Sequence, residues 1–372
     1  KALRGEVIDD IDLATSLEPD EVRKKLINKN IRVIDVGLSH GTVAAILNNR
    51  KFEITTLRKD VSTDGRHADV EFMQDWELDA SRRDFTINAI YADIEGRIFD
   101  PLNGVSDLKK GIIKFIGSPE ERIQEDYLRI LRYFRFFIQY SEADNNQDTI
   151  KAIKKNINGL NKISNERIFD ELNKILKSKN LYNFFSNENL NEIILNIFPQ
   201  FKYYERLEIK NSLEKELVYK YDNCLILALL ILDGSNDYEY FSYRYKVSNN
   251  IKKRLKNIND NYENFKNKKF YEKENIKKLI YLSSKNEVID LLLFSAGFKK
   301  TKNNNLSELI NYTNTVKIPK FPISGNDLKV YGYKSGAELG KKLKFLEDKW
   351  INNNFAIDNK MIKKFLGKTN KN

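Results

Sequence analysis

Two aspartates near the start of the chain, Asp10 and Asp12, are separated by one residue within Val7-Ile8-Asp9-Asp10-Ile11-Asp12-Leu13. On a strand, successive side chains alternate faces, so both carboxylates share one face while Ile11 and Leu13 point the other way into a core. Carboxylates side by side repel unless a cation sits between them. Such a pair suits Mg²⁺, which takes one or two carboxylates and fills its other positions with water and substrate phosphates. The alternative is a solvated acidic strand end. Glu53 is a candidate third carboxylate; it lies in the alternating run Lys51-Phe52-Glu53-Ile54-Thr55-Thr56, which reads as a strand. An exposed strand acid would look the same. Further on, Arg82-Arg83-Asp84 is followed by Asn88. Adjacent guanidiniums can bind phosphate bidentately. On a helix over Ser81–Ile90, with Phe85, Ala89 and Ile90 inward, Asp84 and Asn88 would face the same way. Surface salt bridges are the plainer account of these charges. A third group, Glu125, Asp126, Arg129, Arg132 and Arg135, shares a segment with Leu128, Leu131, Phe134 and Ile138, which recur at helical spacing.

The elements that must position these residues follow from pattern. Pro19-Asp20-Glu21 opens a helix, with proline at its first position and acids in its first turn. Arg32–Val36 and Thr42–Leu47 read as strands around a turn that holds His40, more readily a turn residue than a ligand. Strands close in sequence with small turns predict a mixed or antiparallel sheet flanked by helices. Asp60–Ala68 is polar, contains Gly65 and Arg66, and reads as a flexible loop; such loops over phosphate sites act as gates, though an ordinary surface loop has the same composition. Ile112–Ile116 is predicted as the last strand of this part. Ser118-Pro119-Glu120-Glu121 is a strong helix start, for a helix running to Tyr140 in which Asp126 and Arg129, three apart, are neighbours. Ser164 caps the next helix. From about residue 180 the pattern is helical, and Cys224, among leucines, reads as a buried hydrophobe.

Composition sets bounds. The chain has 372 residues, 41% of them hydrophobic, which predicts two to four compact units. No run approaches the length of a membrane span, and the first residues do not read as a signal peptide. One cysteine allows no internal disulfide and fits a reducing compartment. With two histidines besides, no His/Cys zinc cluster can form. The net charge of +11 suits a polyanionic partner such as nucleic acid, although a Lys-, Asn- and Ile-rich second half also fits a compositional bias.

Asp10-x-Asp12, the Asp60…Gly65-Arg66 loop, Arg82-Arg83-Asp84-Phe85-Thr86-x-Asn88-Ala89 and Glu125-Asp126-Tyr127-Leu128-Arg129 occur in the order seen in class II CCA-adding enzymes. The chain resembles these tRNA nucleotidyltransferases of the DNA polymerase beta superfamily, and within them the mitochondrial and alphaproteobacterial type. Thr63–Ala68, Ile123–Phe134 and Phe321-Pro322-Ile323-Ser324-Gly325 carry that finer likeness. The resemblance is weak between about 180 and 310. It implies an α+β fold: a small mixed-sheet nucleotidyltransferase head (1–117), then an all-helical neck (118–178), body (179–310) and tail (311–372). The family has a Gly-Gly pair, followed by Val-Arg, ahead of the segment that Lys1–Gly5 resembles. The chain is therefore expected to start just after that triphosphate-binding turn.

The activity implied is template-independent addition of C, C and A to the 3′ end of tRNA from CTP and ATP, with Mg²⁺ on Asp10 and Asp12 and Glu53 completing the set. Arg82, Arg83, Asp84 and Asn88 would hold triphosphate and ribose, with Arg66 on the loop. Arg132 and Arg135 would serve the same substrate. Asp126 and Arg129 correspond to the family's base-reading pair. Cytosine and adenine each place a donor amine beside an acceptor ring nitrogen, so a carboxylate and a guanidinium fit both. Uracil and guanine would set a carbonyl oxygen against the carboxylate. An intrahelical salt bridge is the alternative use of the pair. Arg167-x-x-x-Glu171 resembles the last neck motif, which braces the base-reading helix. The tail would hold the tRNA elbow. Rival functions are a partial enzyme (CC-adding, A-adding or poly(A) polymerase) and an RNA-binding protein with an inactive head. Bacterial cytoplasm or mitochondrial matrix is the implied location.

Overall fold

The computed structural model describes residues 2–6, 8, 11–63, 68–142, 146–178, 180–209, 215–218, 222–298, 306–358 and 362. Asp10, and Arg66 and His67 in the segment 64–67, lie outside them. The chain forms two compact units: one of 1–197 with 244–246, the other of 198–243 with 247–372.

The first unit begins with a four-stranded mixed sheet of order β1-β4-β3-β2, built from β1 (Asp12–Thr15), β2 (Arg32–Gly37), β3 (Thr42–Leu47) and β4 (Arg50–Thr56). β1 runs parallel to β4, and the other pairs are antiparallel. Val43, Ala44 and Ala45 of β3 are buried on both faces, which the inner position of that strand requires. Helix α1 (Pro19–Asn28) packs on β2 and β3 through Val22, with Asp20 and Glu21 in its first turn as expected. β1 is an edge strand, and this corrects one expectation: Ile11 and Leu13 are 49% and 43% exposed instead of filling a core. The polar segment after residue 57 is not simply a loop, for its flanks pair as an antiparallel ribbon of β5 (Arg58–Thr63) and β6 (Ala68–Phe72).

Helix α2 (Trp76–Ser81) starts on Asp75, whose carboxylate accepts from the amides of Glu77 and Leu78. The helix expected over Ser81–Ile90 is absent. α2 stops at Ser81, the chain turns, and only a short 3₁₀ turn forms at Thr86–Asn88. What fixes this stretch is a bridge to the segment expected as a strand at 112–116, which pairs only at Phe85 and Phe115. The amide of Thr86 donates to the carbonyl of Lys114, and that of Ile116 to Asp84. Phe85 is fully buried, its ring 4.6 Å from Phe115 and 5.3 Å from Phe136. A small hairpin, β7 (Tyr91–Ala92) with β8 (Ile98–Phe99), leads to α3 (Gly104–Lys109). A Cβ at Gly104 would lie 2.1 Å from the Thr86 carbonyl oxygen, so only glycine allows this approach.

All further elements of the first unit are helical. Ser118 caps α4 (Pro119–Glu125). The single helix expected to Tyr140 is broken: Asp126 takes an extended conformation, and a second helix, α5 (Arg129–Tyr140), follows. Leu128, Leu131, Phe134 and Ile138 are buried, as their spacing predicts. α6 (Gln147–Asn156) packs on α4, and α7 (Asn165–Leu176) on α5. Ser164 caps α7 through the amide of Arg167. α8 (Leu181–Phe185) and α9 (Glu188–Ile197) complete the unit.

The second unit is helical among its described residues. The helix Asn223–Ile231 is apolar all round and buried on every side. Cys224 lies in it, 5% exposed, and burial pushes its thiol up to about 12. Phe270 and Tyr271, noted among lysines, are also buried and belong to the core. The helix expected over Ile276–Leu293 is two, Lys273–Leu282 and Lys285–Ser295. Near the C-terminus, Ser324 and Asp327 form a capping box ahead of Gly325–Val330, and Leu328, Leu346 and Trp350 are buried.

Candidate active site

An open cleft of about 1360 Å³ gathers the three residue groups singled out in the sequence. Asp12 and Glu53 line it from β1 and β4; Arg82, Arg83, Asp84 and Asn88 from the turn after α2; Asp126, Arg129 and Arg132 from the α4–α5 junction and α5. Arg135 does not line it. Its Nε donates to Glu171 of α7 at 2.5 Å, and it stacks 4.1 Å from the Phe136 ring centroid.

Asp12 and Glu53 are register partners in the parallel β1–β4 pair, so their side chains leave the same face of the sheet. This all-oxygen set suits a hard divalent cation. Glu53 also accepts from Lys51 at 2.6 Å. Among the described residues no group of three or more His, Cys, Asp or Glu is gathered for a metal; the partner acid from sequence, Asp10, lies outside them.

The arginine pair is held from below by Asp79, which sequence reading passed over. Its Oδ1 accepts from Arg82 Nε at 2.9 Å and Nη2 at 2.7 Å, and its Oδ2 from Arg83 Nη2 at 3.1 Å and the Tyr91 hydroxyl at 2.6 Å. Burial works to raise the Asp79 carboxyl, but Arg82, Tyr91 and Arg83 outweigh it and hold the group below its ordinary range. The signal was legible: Asp79 precedes the arginines by three and four residues, a helical spacing. Asp84 accepts from Asn88 Nδ2 at 2.9 Å, so the expected meeting of those residues occurs without the expected helix. Its other oxygen takes Arg132 Nε and Nη2, each at 2.5 Å. Burial again opposes ionisation, and Arg132 again prevails, so Asp84 stays below the usual carboxylate range.

The neck arginines are paired differently from the expectation. Because the helix breaks at Asp126, that carboxylate does not neighbour Arg129 along a helical face. Asp126 Oδ2 accepts from Arg167 of α7 at 2.9 Å, and its Oδ1 from the amide of Leu128 at 3.1 Å. Arg129 Nη1 donates to Glu125 at 2.5 Å and to the carbonyl of Arg122 at 2.7 Å. The Arg167–Glu171 pairing suggested by sequence is replaced by two longer-range ones, Arg167–Asp126 and Arg135–Glu171. Arg122, also unremarked in sequence, reaches back: Nη1 binds Glu125 at 2.7 Å, and Nη2 donates to the carbonyls of Arg82 and Arg83.

Comparison with known proteins follows this geometry. Residues 2–114 match the family described as Poly A polymerase head domain, and residues 146–204 the one described as probable RNA and SrmB-binding site of polymerase A. The fold and cleft are thus those of a nucleotidyltransferase of the poly(A) polymerase class, whose members generally work with a divalent metal. The chain is 33% identical to the mitochondrial CCA tRNA nucleotidyltransferase 1 of Mus musculus, an alignment covering 99% of this chain and 84% of that one. It is 34% identical to the human protein of the same name, with the same coverage. A CCA-adding enzyme of Streptococcus gordonii is 35% identical over 69% of this chain and 64% of its own. The fold matches the Bacillus stearothermophilus CCA-adding enzyme, solved in complex with CTP, with a TM-score of 0.74 and 24% identity, over 98% of this chain and 89% of that one. The chain belongs to the CCA tRNA nucleotidyltransferase family.

Proposed function

We propose that this protein adds C, C and A in turn to the 3′ end of tRNA, using CTP and ATP and releasing pyrophosphate. The observation that carries the reading is the single cleft onto which an acidic strand pair, an arginine pair and a carboxylate–guanidinium set open together. Asp10 and Asp12, with Glu53, would hold Mg²⁺. That ion, when bound, lowers the barrier to attack by the tRNA 3′-hydroxyl and stabilises the leaving pyrophosphate. Arg82 and Arg83 face the triphosphate with their unused N–H donors, while Asp84 and Asn88 bound the ribose side. Asp126 accepts from the exocyclic amine of cytosine or adenine, and Arg129 donates to the ring nitrogen. Arg66 belongs to the loop that gates the site. The first unit would act as head and neck, and the second as body and tail gripping the tRNA, in line with the net charge of +11.

Relatives include mitochondrial and bacterial proteins, so the mitochondrial matrix or bacterial cytoplasm is the proposed location. No helix among the described residues is long and apolar enough to cross a membrane. The test is to supply a tRNA lacking its CCA end with each labelled nucleotide singly and together, then sequence the products. Addition of C, C and A only is expected. Products ending at CC, products with A alone or with A tracts, or no extension despite tRNA binding would each refute it.

A further inference from the structure

We propose that Asp79 and Tyr91 form a positioning pair that sets the Arg82 and Arg83 guanidiniums for the triphosphate. The proposal rests on the assignment of these arginines to phosphate. Asp79 is 1% exposed and lies beneath the cleft wall, out of reach of a ligand. Every printed contact of its carboxylate is a donor from this wall: Arg82, Arg83, Tyr91 and the amide of Arg58 at 3.2 Å. One carboxylate thus meets two guanidiniums, which leaves the pair with net positive charge while fixing where that charge points.

Tyr91 adds the second restraint. Its hydroxyl donates to the same Asp79 oxygen that Arg83 uses, and the Arg83 guanidinium lies 4.9 Å from its ring centroid. Trp76 meets the Tyr91 ring edge-on at 5.2 Å, so the phenol is itself held. Arg83 then completes its grip through Nη1 on the Asn88 carbonyl at 3.0 Å. Arg83 has four of its neighbours fixed by the chain before any substrate arrives. Guanidiniums held in this way lose less freedom on binding an anion than mobile ones. Removal of the carboxylate has two opposed effects. It raises the positive charge of the cleft, which favours anions; it also frees both arginines, which disfavours them. Positioning predicts that the second effect wins.

The experiment uses the full chain and two competitors of nucleotide addition: inorganic tripolyphosphate, which tests the phosphate grip, and cytidine, which lacks phosphate. Asp79→Asn is expected to raise the tripolyphosphate inhibition constant about ten-fold, and the milder Tyr91→Phe about three-fold, with cytidine unchanged in both. A merely structural role would weaken both competitors together. Parallel loss of cytidine, an unchanged constant or tighter tripolyphosphate binding would each overturn the proposal. Arg83→Ala separates the two levels of inference. If it leaves tripolyphosphate inhibition untouched, the assignment of the arginines fails and the proposal with it. If it weakens inhibition while Asp79→Asn and Tyr91→Phe behave as wild type, the positioning role alone fails. Tyr91→Phe removes one oxygen and keeps the ring packing, so it serves if Asp79→Asn does not fold.

Discussion

Asp126→Ala is the perturbation that bears most directly on how the protein selects a base. The Asp126 side chain is 21% exposed at the break between α4 and α5, and each oxygen has one protein donor: the Leu128 amide at 3.1 Å and Arg167 at 2.9 Å. A carboxylate oxygen accepts more than one hydrogen bond, so each retains capacity for an exocyclic amine. Loss of one charge-assisted hydrogen bond in a partly dry site costs about 1–3 kcal/mol, or roughly ten- to a hundred-fold in kcat/KM for CTP and ATP. Partial exposure puts the expected value at the lower end of that range. The opposite change is expected for UTP and GTP, whose carbonyls would no longer face a carboxylate. Discrimination should therefore fall by both routes. The assay is incorporation of all four nucleotides, one at a time, onto tRNA that lacks its terminal A or CCA. Arg167→Met is the companion variant. It releases one oxygen of Asp126 and leaves the Leu128 bond, so a smaller loss of about three- to ten-fold is expected in the same direction. An Asp126→Ala protein that rejected UTP as strictly as the wild type would refute the base-reading role and leave Asp126 as a brace for Arg167.

Other expectations concern the metal, the fold and pH. Asp12→Ala, and Asp10→Ala from sequence, should abolish transfer while tRNA affinity measured by filter binding stays near wild type; near-normal turnover in Mg²⁺ would remove these residues from the site. Arg129→Ala should lower CTP and ATP use together, by about ten-fold, in steady-state kinetics, since both bases need its donors. Gly159→Ala should lower the melting temperature, because a Cβ there would lie 2.0 Å from two ring carbons of Tyr127; overpacking costs about 1–3 kcal/mol. Asp79 and Asp84 titrate below 3.8 in the fold, so their ion pairs contribute stability above that value, and it is lost as pH falls from 3.8 through the lower folded values. The melting temperature should drop in that window, and Asp84→Asn should flatten the drop.

The sheet was legible because β2, β3 and β4 follow one another with short turns, and their alternation survives pairing. The edge position of β1 was not. Asp-x-Asp with Ile11 and Leu13 between reads equally as an inner or an outer strand, and the long connection that carries β1 beside β4 leaves no local mark. The Ser81–Ile90 error has a specific cause. The apolar spacing of Phe85 and Ala89 fits a helix, but Phe85 is drawn into a cluster with Phe115 and Phe136, and two backbone bonds to 114–116 replace the helical ones. The residues that reach the cleft were mostly found, since charged side chains at fixed spacing are visible in a sequence. Their partners were not. Arg167 meets Asp126 across 41 positions, and Arg132 meets Asp84 across 48. Nothing in a single chain marks which distant acid a given arginine will face. Asp79 is the exception, for it is three and four residues from its arginines.

These long-range pairs bear on how substitutions in the cleft should be read. Arg82, Arg83, Arg122, Arg129, Arg132 and Arg167 are set against Asp79, Asp84, Glu125 and Asp126, each arginine bonded to at least one of these acids. The set keeps a surplus of two positive charges, and each guanidinium has donors to spare beyond its carboxylate. Pairing therefore orients the cations more than it cancels them. An alanine at any one of them does two things at once: it removes a donor from the nucleotide, and it leaves a partly buried carboxylate without its partner, facing an incoming triphosphate. The second effect is repulsive and acts within a few ångströms, where salt screens it little. Truncating Arg132 should thus be more damaging than its own contact with substrate would imply, because Asp84 is 7% exposed and would be left charged at the cleft wall. The pair variant Arg132→Met with Asp84→Asn removes that repulsion. It should bind nucleotide better than Arg132→Met alone if orientation and charge balance, and not direct contact, are the main service of the neck arginine.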